Sequence, residues 1–285
     1  MIMTDEHIIE AIGRTRVIVR DGVVVEVGEP VITDCPLSRR FACPVEEFTP
    51  DAIRKNIENR ISSFGMCTPN RELYSHDDFV GFGASELTST GLASGLIDAA
   101  ILACDGAGTV VVTDPAMAQG IGGRMSGLVS TSPIPDVIAR IEQGGGIVPD
   151  PVHASMNPLL GINAAHAAGF NRLLVTVASA EVAEAVRAAD PRALIIMVHV
   201  TGMSREDAIR VAEVADISTA CASGAIRDIC GPKSLMQAGT TVPIFVLTVP
   251  GKTLLIARLA VLPHQILVNH ARLPVCGEKT PSPLI

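Results

Sequence analysis

Aromatic residues are almost absent from this chain: among 285 residues there is no Trp, one Tyr and seven Phe. A core must therefore be built from Ala, Val, Ile and Leu, a mix suited to buried parallel strands covered by Ala-rich helices. Long apolar runs are missing too. Mean hydropathy is +0.39, yet the stretches over 193–200 and 253–262 are short or broken by charge. A membrane-spanning helix needs about 20 apolar residues, so no span is expected. The opening residues lack a basic region followed by an apolar run, which argues against a secretory signal and for a cytoplasmic chain. Lys and Arg number 22 against 30 Asp and Glu, a formal net charge of −8. No basic stripe stands out, and nucleic acid is not an expected partner. Several local signatures are absent as well: no C-x2-C pair, no G-x4-G-K-[ST] loop, no full dinucleotide fingerprint and no G-x-S-x-G elbow. Ferredoxin and zinc-ribbon patterns, phosphate loops and ordinary serine hydrolases lose support with them.

What the chain does have is a texture of alternating strands and helices. Two β-like runs flank Asp21-Gly22, a strong hairpin signal. Thr49-Pro50 reads as an N-cap and first-turn Pro for a helix over 52–64, ended by Gly65. From residue 84 onward the pattern predicts helices over 84–95, 116–127, 135–143, 158–168, 180–188 and 204–215. Strands are expected over 99–103, 109–113, 173–177, 194–200 and 217–220. Two further strands, 244–249 and 254–259, are expected to join in a hairpin at Pro250-Gly251. This order specifies an α/β fold with a mostly parallel sheet and flanking helices. Too few strand–helix units are present for an eight-fold barrel, so an open doubly wound sheet is favoured. Residues 1–83 form the expected N-terminal hairpin and cysteine-bearing subdomain, and 84–285 the α/β domain.

Seven cysteines at wide, irregular spacing do not resemble a disulfide framework. Four of them lie beside backbone punctuation: Cys35 before Pro36, Cys67 in Gly65-Met66-Cys67-Thr68-Pro69, Cys104 before Asp105-Gly106, and Cys221 before Ala222-Ser223-Gly224. If the fold brings Cys35, Cys67, Cys104 and Cys221 together, four thiolates would suit an iron–sulfur cluster or a tetrahedral transition metal. The alternative is packed strand-end and loop thiols, or a thiol nucleophile. A glycine-rich stretch offers a second candidate. Gly106 and Gly108 in one turn, with Gly122, Gly123 and Arg124 further on, could present N–H groups and a guanidinium to a small anion; tight turns are the plainer reading. His199, inside an apolar strand, is either a satisfied core residue or an acid–base group with a tunable pKa. Cys104 and His199 are the candidate catalytic residues.

The segments Phe64 to Leu73, Cys104 to Pro115, Gln119 to Thr131 and Thr219 to Ser223 together resemble the family called methanogenesis marker protein 8. The similarity runs from the segment opening at Asp5 to the strand near Ala220. It implies an anaerobic archaeal cytoplasm and an accessory role in methanogenesis, in maturing methyl-coenzyme M reductase or its nickel cofactor. Methanogenesis enzymes or their assembly factors are the implied partners. The resemblance supplies no catalytic residues. Three functions follow as expectations: an accessory or maturation protein holding a metal or cluster through cysteines, an enzyme acting on a small anionic substrate or nucleotide, or a non-catalytic scaffold.

Overall fold

The computed structural model describes residues 5–124 and 127–285. Its centre is a seven-stranded sheet in the order β10-β11-β9-β8-β7-β4-β5. The middle of that sheet is parallel: β4 (Ala99–Cys104), β7 (Leu173–Val177), β8 (Leu194–Met197) and β9 (Ile217–Thr219) pair side by side in one direction. Antiparallel strands close both flanks, with β5 (Gly108–Val112) beside β4, and β11 (Ile244–Val246) then β10 (Met236–Ala238) beyond β9.

Strand side chains alternate between two apolar cores, as a two-residue period dictates. Ile101, Val175, Ile195 and Met197 pack under α5 (Pro158–Ala167), α6 (Ala180–Ala189), α7 (Arg205–Val214) and α8 (Gly224–Lys233). Their neighbours Leu102, Leu174 and Ile196 face the other way, toward α2 (Ala84–Ala93), α3 (Pro115–Gly122), α4 (Pro135–Gln143) and α9 (Val249–Val261). The α/β sheet is open and covered on both faces, as the alternating pattern predicts.

A second, four-stranded antiparallel sheet has the order β3-β2-β1-β6. Its strands are β1 (Glu6–Ala11), β2 (Thr15–Arg20), β3 (Val23–Val27) and β6 (Gly127–Thr131), and α1 (Pro50–Phe64) packs on it through Ile53 and Ile57. The hairpin at Asp21-Gly22 and the Thr49 cap, whose hydroxyl accepts from the Ala52 N–H at 3.2 Å, match the sequence reading. β6 arises from within the 84–285 stretch and pairs with β1, so the two parts of the chain share a sheet.

Four readings need correction. The strand expected over 194–200 ends at Met197, and His199, with a left-handed backbone that cannot continue a strand, lies beyond it and not inside it. The expected hairpin at Pro250-Gly251 does not form; residues 249–261 are helix α9. Thr248 caps it, accepting from the Gly251 N–H at 3.3 Å, and Pro250 sits in the first turn, where it lacks a donor that would be unpaired anyway. Buried Leu254, Leu255 and Arg258 then follow at helical spacing. The strand expected over 244–249 stops at Val246 for the same reason. The helix expected over 116–127 ends at Gly122, and Met125 and Ser126 lie outside the described residues.

Candidate functional site at the carboxyl edge of the sheet

Because β4, β7, β8 and β9 are parallel, their carboxyl ends share one edge, and the small sheet lies against it. The Gly106 N–H, just past β4, donates to Thr131 Oγ1 at the end of β6 at 2.8 Å. Gly127, at the start of β6, faces the His199 ring just past β8; a Cβ there would stand 3.3 Å from the imidazole and 3.1 Å from Glu10 on β1. Gly202 leaves room for the Arg14 guanidinium, which a Cβ would meet at 2.0 Å. Glycine at 127 and 202 thus lets the two sheets approach.

His199, like Arg14, is exposed at this junction. Its backbone is left-handed, with φ at 53°, which is uncommon for a residue other than glycine. The side chain reaches solvent, yet the protein surrounding it pushes its pKa down to about 4. With its pKa lowered in this way the imidazole is neutral at physiological pH. Glu10 shares the junction and pairs with Arg14 at 3.7 Å. Burial raises its pKa, partly countered by Arg14.

Deeper in the junction the polar groups satisfy one another. Asp105 and Arg71, both fully buried, pair at 2.9 Å through Nε. The other Asp105 oxygen accepts from the Cys67 N–H at 2.6 Å. Arg71 also donates to the carbonyls of Glu72, Gly120 and Ile121. His7, fully buried on β1, lies 2.6 Å from Thr131 Oγ1 through Nδ1. That oxygen also accepts from the Gly106 N–H and lies 3.3 Å from the Ser132 carbonyl, while His7 Nε2 faces Asp5 at 3.6 Å.

The cysteines fall into two places. Cys67 and Cys104 lie buried beside Asp105. Burial, and after it the Asp105 carboxylate, pushes both thiols up, so both stay protonated. Cys35 and Cys221 stand at the β9 end, close enough to influence each other, and burial pushes the Cys35 thiol up as well. Two strands separate β9 from β4, a span of about 14 Å at the usual strand spacing. Among the described residues no three His, Cys, Asp or Glu side chains form a group that could hold a metal ion. A single centre ligated by all four thiols does not fit this arrangement, and no chemistry is derived through one.

The glycine-rich turn also looks inward. Gly106 and Gly108 have positive φ, and Gly108 packs against the Ala154 carbonyl. The N–H groups of Gly106, Ala107, Thr109 and Gly123 all have partners within the chain. Gly122 and Gly123 finish α3. Arg124 pairs with Glu72 and lies 5.3 Å above the Phe64 ring. Two surface recesses are formed elsewhere. One, of about 260 Å³, is lined by Ser75, His76, Asp78, Ser89, Asp114 and Gln119; the other, of about 460 Å³, by Asn70, Asp136 and Arg140 among others. Neither reaches His199 or Cys221.

Sequence reading missed Arg227, Glu10 and Arg14. Arg227, 5% exposed in the first turns of α8, donates through Nη2 to the carbonyls of Cys221 at 3.0 Å and Thr241 at 3.1 Å. The signal available was Ser223, which caps α8 by accepting from the Ile226 N–H at 3.2 Å; recognising that cap would have placed a helix, and Arg227 with it, directly behind Cys221.

Open α/β sheets bind ligands outside the carboxyl ends of their strands, and this chain is an open α/β protein whose carboxyl strand edge faces a second sheet. It belongs to the family described as "Uncharacterized protein conserved in archaea (DUF2099)", whose model matches residues 7–260. Among curated proteins it is 38% identical over 284 residues to "Uncharacterized protein MJ0054" of Methanocaldococcus jannaschii, covering 99% of this chain and 100% of that relative. No solved structure matches it. Among the described residues no helix is long and apolar enough to cross a membrane.

Proposed function

We propose that this protein is a cytoplasmic accessory factor of methane-producing archaea that binds a small anionic molecule at the carboxyl edge of β7, β8 and β9 and moves a proton there through His199. The observation that carries this reading is the His199 imidazole, open to solvent, held on a left-handed backbone at the strand end and kept neutral. A neutral imidazole offers a lone pair to a proton, an anion bound beside it would raise its basicity toward the working range, and strained conformations collect at functional sites. Arg14, paired with Glu10 and packed over Gly202, lies in the same junction. The family's archaeal range, the relative in a methanogen and the resemblance to methanogenesis marker protein 8 support the cellular setting.

Two measurements test it. In a methanogen lacking the gene, methane-forming growth is expected to slow, and to recover with the wild-type gene but not with His199→Asn; unchanged growth of the deletion strain contradicts the accessory role. Calorimetric titration with phosphate, succinate and AMP is expected to detect binding of at least one. Failure of all three to bind removes the anionic-ligand reading.

A further inference from the structure

Arg227 is a buried cation without a carboxylate. It forms no ion pair among the described residues, while Nη2 is fixed by the Cys221 and Thr241 carbonyls. Nε is buried with no hydrogen-bond partner, and Nη1 makes no hydrogen bond among the described residues. A guanidinium has five N–H donors and cannot be deprotonated in a protein. Leaving the Nε donor unused beneath the surface costs the desolvation penalty of that group. The titratable groups close enough to act on it are the thiols of Cys276, Cys221 and Cys35.

The surroundings point outward from this cation to the same sheet edge. Cys221 sits on a left-handed backbone, φ 43°, at the end of β9, and its thiol lies 3.5 Å from Thr219 Oγ1. Cys35 and Cys221 are partly exposed and Cys276 is exposed, so solvent reaches the rim while the guanidinium forms the floor. Arginine oriented by backbone carbonyls and lacking an acid is a ready receptor for a planar or tetrahedral oxyanion.

Resting on the reading of this edge as the working face, we propose that Arg227 is its anion-binding group and takes the carboxylate or phosphate of a small ligand between Cys221, Cys35 and Cys276. The bound ligand would lie over the β9 end, with His199 just past the end of the adjoining strand β8.

The test is alkylation of the folded, full-length protein by iodoacetamide under anaerobic conditions, with each cysteine followed by peptide mass spectrometry. Phosphate and succinate are added separately, against chloride at equal ionic strength, so that the two arms separate phosphate from carboxylate recognition. With one anion at about ten times its dissociation constant, labelling of Cys221 should slow about tenfold. Arg227→Lys should weaken that protection and Arg227→Met abolish it, with circular dichroism confirming that each variant is folded. Equal labelling of wild-type Cys221 with and without either anion overturns the proposal, whether or not the variants fold. Protection that persists in folded Arg227→Met overturns it too, because the anion then sits elsewhere. If anions bind calorimetrically yet leave Cys221 unprotected, Arg227 fails alone; if none binds, the ligand-edge reading fails with it.

Discussion

Asp105 and Arg71 show what a single residue can cost in this fold. Both are wholly buried, and each satisfies groups that no water reaches. Replacing one partner strands the other's charge, a loss of about 3–5 kcal/mol. Asp105→Asn is therefore expected to lower the urea midpoint sharply, while the double variant Arg71→Met/Asp105→Leu should lose less than the two single changes summed. Additive losses in that cycle would contradict a coupled pair. The histidines act through protons. Desolvation by the surrounding protein lowers the pKa of both the buried His7 and the solvent-exposed His199, the latter to about 4. As pH falls, the unfolded chain takes up these protons first, near the ordinary value of about 6.5. Stability is thus full above about 6.5 and declines below it, and the His199 share of that decline levels off near its folded value of about 4. His199→Asn should flatten part of the decline in a series of urea melts; parallel curves for the two proteins would show that the imidazole is not held neutral.

At the scale of elements, helix α9 is the most instructive. Gly251 in its first turn lies against the Asp216 carbonyl, which a Cβ would approach to 2.6 Å. Gly251→Ala should destabilise the protein by about 1–3 kcal/mol through overpacking, and a thermal midpoint equal to wild type would refute that contact. The sequence around it, Thr248-Val249-Pro250-Gly251, carries a helix-start signature, but Pro-Gly between apolar runs also reads as a turn. Only the tertiary contacts of Leu254 and Leu255 decide between them. Most other strands and helices were legible because each buries one periodic face, as in Leu194–Met197 or Arg205–Val214. β6 was not, since its Val129 points to solvent and its apolar content is low. α8 was hidden by Gly231 and Pro232 near its end, and Arg227 with it.

For the whole molecule, the decisive feature is the junction between the two sheets. The candidate residues at strand ends could be read from sequence because parallel strands must end on one edge. Which of them meet could not, since that depends on strand order: β4 and β9 are separated by β7 and β8, dividing the cysteines into a buried pair and an exposed-edge group. The junction also binds the two parts of the chain together. β1 pairs with β2 on one side and with β6, over a hundred residues later, on the other. A sheet completed in this way should melt with the α/β sheet, so calorimetry is expected to record one cooperative transition. Two resolved transitions would mean that residues 1–83 fold as an independent unit.

The central claim is that the carboxyl edge holds a neutral, solvent-open imidazole beside an anion site. Nuclear magnetic resonance titration of the His199 ring, assigned by comparison with His199→Asn, tests it most directly. The account predicts a midpoint well below the ordinary 6.5, near the value of about 4 set by its surroundings, and a shift of the ring signals when phosphate or succinate binds. A midpoint at the ordinary histidine value, with ring signals indifferent to both anions, would contradict it.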